Sequence, residues 1–146
     1  MATTKKRTAT KAKSYDGFTD AERDAMKERA KELKGKEDPA AAQAAKIAAM
    51  NDADRAIAER LQEIIAEAAP ELTPKLWYGM PAWAKNGKVL CFFQDAAKFK
   101  SRHATFGFDQ SANLDDGDLW PTSYALAKLT PAVEKKITAL VKKAVS

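Results

Sequence analysis

Between Asp52 and Ala69 the apolar residues Ile57, Leu61, Ile64, Ile65 and Ala68 recur three and four positions apart. That spacing predicts a helix with one apolar face. Pro70 and Pro74 bracket its end. The chain closes on a similar signature. Thr130 reads as a cap, Pro131 as the first helical residue, and Val133, Ile137, Leu140, Val141 and Ala144 as the buried stripe. Upstream, Thr19-Asp20-Ala21-Glu22 is a capping box. It predicts a helix to Lys34 that stops at Gly35. Its stripe (Ala21, Ala25, Met26, Ala30, Leu33) is thin, which places it on the domain surface. Asp38-Pro39 can open a short helix in the Ala-rich stretch from Lys36 to Met50.

Between the long helices the period changes to two. Asn86-Gly87 suits a two-residue type I′ turn, because both residues accept positive φ. The hairpin joins Ala82–Lys85 to Lys88–Phe93, in a register that sets Trp83 against Leu90 and Ala84 against Val89. Further strands are predicted at Leu76–Tyr78, Lys100–Phe108 and Ser123–Leu129, with a loop from Asn113 to Gly117. Alternation puts Trp83, Leu90 and Phe92 on one face and Val89, Cys91 and Phe93 on the other. The predicted class is α+β: an antiparallel sheet with N- and C-terminal helices packed on one face. The face bearing Trp83, Leu90 and Phe92 is then predicted to be open. The competing expectation is that Asn113–Pro121, with Trp120, folds over it as a second small core.

The segment Trp77-Tyr78-Gly79-Met80-Pro81-Ala82-Trp83, the Asn86-Gly87-Lys88 hairpin and the Phe92-Phe93 strand together resemble the YdhG-like domain family. Phe106-Gly107-Phe108 and the Thr130-initiated helix fit the same pattern. The resemblance covers roughly Asp52 to Val145 and implies a frataxin-like fold. Some family members are described as intracellular iron chaperones, so it also implies iron as a possible cargo. The chain divides into a basic tail predicted to be disordered (1–14), a helical N-terminal extension (15–50) and the α+β domain (51–146).

Charge changes this picture little. The formal net charge is +5. Lys5, Lys6, Arg7, Lys11 and Lys13 supply it, and the remaining chain balances 20 basic against 20 acidic residues. A folded nucleic-acid-binding surface is therefore not expected, and any such association belongs to the tail. One cysteine and one histidine exclude an internal disulfide and a Cys/His zinc site. No apolar run reaches the ~20 residues of a membrane span. The basic N-terminus lacks a following apolar run, so no secretory signal is expected and the expected compartment is the cytoplasm.

Ten of the twelve aromatic residues lie between Trp77 and Tyr124. Candidate ligand-binding residues are accordingly Trp77, Met80, Pro81, Trp83, Phe92, His103 and Thr105, the last two as polar groups on the open face. Candidate metal ligands are Asp52, Glu59, Glu63 and Glu67. They fall within about 80° of one another on a helix of ~3.6 residues per turn, and carboxylates suit hard iron ions. A solvated helix face is the alternative for the same four residues. No nucleophile elbow, phosphate loop or paired metal histidines occur. The predicted function is non-enzymatic binding of a small ligand or metal ion. A protein adaptor using the open sheet face is the second expectation.

Overall fold

A computed structural model describes residues 19–34 and 38–146. The predicted disordered tail and the predicted helix stop at Gly35 lie outside them. The elements run α1 (Asp20–Lys34), α2 (Pro39–Ala48), α3 (Asp52–Ala68), β1 (Thr73–Trp77), β2 (Met80–Lys85), β3 (Lys88–Gln94), β4 (Ala104–Phe108), β5 (Ser123–Leu126) and α4 (Pro131–Val145). The architecture is α+β. The five strands form one antiparallel meander in sequence order.

Side chains set the helix starts. Thr19 and Glu22 form the reciprocal capping box, with Glu22 N–H donating to Thr19 Oγ1 at 3.0 Å and Thr19 N–H to Glu22 Oε1 at 2.9 Å. Asp38 caps α2 and Asn51 caps α3, accepting from the Ala41 and Asp54 amides. Thr130 caps α4, with Pro131 in the first turn. Each such cap satisfies a backbone N–H that helix geometry leaves unpaired.

Both tight hairpins have positive φ at each turn residue: 54° and 77° at Tyr78-Gly79, 52° and 83° at Asn86-Gly87. The second is the predicted turn. The first replaces the predicted strand end at Tyr78, so β1 lies earlier than expected, at Thr73–Trp77. β4 starts only at Ala104 and β5 ends at Leu126, so both are shorter than expected.

The main correction concerns the β2–β3 register. Ala84 does oppose Val89, but Trp83 opposes Cys91 rather than Leu90. Leu90 is the extra residue of a β-bulge. The bulge shifts the side-chain parity of the rest of β3 by one position. Trp83 thus shares its face with Cys91, Phe93, Phe106 and Phe108. That face carries the core. Trp83 is 2% exposed and Leu90 1%, and both belong to the cluster with Leu61 and Ile65 of α3 and Ile137 and Val141 of α4. The predicted open face of Trp83, Leu90 and Phe92 does not exist. Trp120 does fold over, but it packs against this same core instead of building a second one.

The helical segment before Asp52 is integrated with the sheet. Ile47 joins the core, and Gln43 is fully buried. Gln43 Nε2 donates to the carbonyls of Lys75 (3.1 Å) and Ala82 (2.8 Å), while its Oε1 accepts from Gln62 Nε2 at 3.0 Å. A buried amide is tolerated where its groups are paired. This one ties α2 to β1, β2 and α3.

Candidate functional site

The opposite sheet face carries Lys75, Trp77, Met80, Ala82, Val89, Phe92, Gln94, Thr105 and Gly107, as the strand registers dictate. Phe92 lies across Gly107, where a Cβ would collide with its ring. Trp77 packs on Phe92 with ring centroids 5.3 Å apart, and it makes a T-shaped pair with Tyr78 at 5.2 Å. Trp77, Phe92 and Thr105 remain only half-buried.

A cleft of about 470 Å³ opens on this face toward the Asn86-Gly87 turn. Trp77 and Val89 give it apolar wall. Lys75 and Lys88 approach it from β1 and β3, and Arg29 from α1. Asp109, Gln110 and Ser111, just after β4, close the remaining side. That segment is fixed to the bulged strand: Asp109 N–H donates to Leu90 O at 2.9 Å and Ser111 Oγ to Val89 O at 2.7 Å. The bulge that sends Trp83 into the core is therefore also an anchor for one cleft wall.

Charge in the cleft is one-sided. Three cations face one carboxylate, Asp109. Among the described residues, Lys75 and Lys88 have no ion-pair partner. Arg29 pairs with Glu32 at 3.5 Å and lies 5.4 Å over the Tyr78 ring.

Arg29 reaches the cleft because α1 is clasped to the β1–β2 turn. The Glu32 carboxylate accepts from Tyr78 N–H at 3.1 Å and Gly79 N–H at 2.8 Å. Glu28 pairs with Lys46 of α2 at 2.8 Å. A Cβ at Gly79 would meet the flexible end of Lys98 and stand 3.1 Å from Glu28 Cγ, contacts these side chains can relieve, so the φ of 77° is what favours glycine there. Burial, with the nearby Lys46, lowers the Lys98 pKa.

The sequence candidates separate on the structure. Trp77, Met80, Phe92 and Thr105 share the outer face, and only Trp77 lines the cleft. Pro81 and Trp83 are buried on the core side. His103 precedes β4, half-buried, with Nδ1 3.3 Å from the Ala104 carbonyl. It does not line the cleft. Cys91 is wholly buried, and burial pushes its thiol pKa far up, which removes thiolate chemistry.

The acidic stripe does not converge either. Asp52 pairs with Arg55 at 2.8 Å and Glu63 with Arg60 at 2.6 Å. Arg60 also bridges to Glu134 of α4, which holds the Glu134 carboxyl below its usual range. Glu59 and Glu67 are exposed. Among the described residues no group of three His, Cys, Asp or Glu side chains could hold a metal ion. A separate acidic pair lies at the start of α3, where buried Asp54 accepts from Ala97 N–H at 3.1 Å. Nearby Asp95 is buried, and desolvation, with repulsion from Asp54, raises its pKa.

Arg29, Lys75, Lys88 and Ser111 are the functional candidates that sequence reasoning missed. A signal existed only for Lys75, two residues from Trp77 and so on its face of a strand. Compared with protein families, curated proteins and solved structures, the chain finds no match. Among the described residues no helix is long and apolar enough to cross a membrane.

Proposed function

We propose that this chain is a non-enzymatic binding domain whose cleft, walled by Trp77 and Val89 and rimmed by Arg29, Lys75 and Lys88, takes a small organic ligand. The observation that carries this reading is the half-buried Trp77 in a concave site beside Lys75 and Lys88, which have no ion-pair partner among the described residues. Trp77 and Val89 are the two apolar side chains of a lining that is otherwise polar, so a ligand there would combine an apolar ring with polar or charged groups. A five-stranded antiparallel sheet with helices before and after it is in keeping with the frataxin-like arrangement that the YdhG-like resemblance implies. The iron-carrying role implied by that resemblance would draw on Asp52, Glu59, Glu63 and Glu67. Arg55 and Arg60 engage two of those carboxylates, so the cleft and not the stripe carries the proposal.

The test is an amide and indole N–H chemical-shift titration of the full chain with two probes of one ring size, naphthalene-1-carboxylate and naphthalene-1-methanol. The expected result is saturable shifts from at least one probe, centred on the Trp77 indole and the Lys75, Val89 and Ser111 amides. No saturable shifts, or shifts centred elsewhere, overturn the reading.

A further inference from the structure

We infer that the cleft selects planar organic anions, and that α1 is part of the site because it delivers Arg29. This rests on the reading above and adds the ligand class. Three cations and one carboxylate line the cleft. Lys75 enters from β1, opposite Ala82, and Lys88 from the start of β3, beside the Asn86-Gly87 turn. Lys75 lies in β1 two positions from Trp77, on the same face, and is half-buried. A ring held against Trp77 would have its charged group within reach of the Lys75 ammonium. Asp109 sits across the cleft, beyond β3. An anion there meets net positive charge, and partial burial strengthens that attraction over its value in water. A cationic ligand is repelled by Lys75 and Lys88, and a neutral one gains a hydrogen bond from them but no charge attraction.

Arg29 comes from α1, which meets the sheet at β1. Its dockings are Glu32 on the turn amides, Arg29 over Tyr78 and the Glu28–Lys46 pair, with Ala25 as a buried apolar contact. Glu32 is thus a positioning residue for Arg29. Loss of its carboxylate frees the Tyr78 and Gly79 amides and releases the guanidinium from the cleft.

Equilibrium titrations of the full chain with the same two naphthalene probes test this at low salt. The carboxylate is expected to bind about tenfold or more tightly than the alcohol, a difference of ~1.4 kcal/mol. That preference should shrink at high salt, as screening requires. Arg29→Gln and Lys75→Gln are each expected to weaken the carboxylate several-fold and the alcohol much less, so that the preference between the two probes narrows. Glu32→Gln should reproduce the Arg29→Gln loss and also speed amide exchange at Tyr78 and Gly79. Equal affinities of the two probes, both mapped to the cleft, overturn the anion class while the cleft reading stands. A carboxylate preference that survives Arg29→Gln and Lys75→Gln overturns the assigned residues. Absence of cleft binding by either probe overturns the cleft reading itself.

Discussion

Replacing Trp83 with alanine tests the bulge directly. If the hairpin ran in simple register, Trp83 would stand on the outer face and its loss would cost little, within about 1 kcal/mol. In the bulged register it is 2% exposed and packed among Cys91, Phe93 and the α3–α4 residues. Burying a tryptophan removes roughly 150–250 Å² from water. At ~25 cal/mol per Å² that is about 4–6 kcal/mol as an upper bound, since the denatured chain already hides part of the surface. Alanine retains some of it, and the unfilled cavity adds back a cost, so the expected loss is about 3–5 kcal/mol. That is a large part of the ~5–15 kcal/mol that holds a domain of this size folded. Urea denaturation followed by far-ultraviolet circular dichroism, with Trp77→Ala as the half-buried comparison, measures it. A Trp83→Ala loss no larger than that of Trp77→Ala would refute the bulged register.

Gly79→Ala is expected to cost about 1–2 kcal/mol from positive φ, with a small further loss as Lys98 and Glu28 shift to make room. Gly87→Ala, with φ 83° and open space around it, should show only the backbone cost, so the difference in denaturation midpoints isolates the clasp. Gln43→Leu leaves Gln62 without its partner and should cost about 1–3 kcal/mol by denaturant titration. Asp95 gives a pH signature. Its pKa is raised by burial, so the native state binds its proton more tightly than the unfolded chain does. Its charge therefore costs stability progressively as pH rises above about 3.8, its unperturbed value. Asp95→Asn should be stabilising near pH 7, with the advantage fading as pH falls through that window. A pH-independent difference between the two proteins in thermal or urea unfolding would contradict this.

Caps and turns were legible because each depends on two or three adjacent residues. Thr19 with Glu22, Asp38-Pro39, Thr130-Pro131 and Asn86-Gly87 carry their local geometry with them. The apolar stripes of α3 and α4 were legible for the same reason. The parity of β3 was not. Val89-Leu90-Cys91-Phe92-Phe93 is apolar at every position, so no period survives to reveal an extra residue. The bulge is settled by long-range contacts, among them the Asp109 amide on the Leu90 carbonyl. Tyr78-Gly79 was hard to read as a turn because tyrosine rarely takes positive φ. The Glu32 carboxylate bonded to both turn amides is what accompanies it there. The cleft was least legible of all. Its cations come from α1, β1 and β3, and its far wall from the loop after β4, so only the fold brings Arg29, Lys75, Lys88 and Ser111 together.

Calorimetric titration of naphthalene-1-carboxylate into the wild-type chain and into Trp77→Ala shows whether the cleft binds an aromatic anion through Trp77, once circular dichroism has shown that the variant keeps its fold. A saturable isotherm is expected for the wild type and a loss of about tenfold or more in affinity for the variant, in line with removal of an aromatic wall worth ~1–2 kcal/mol. Identical isotherms, or no binding to the wild-type chain, would contradict the cleft reading.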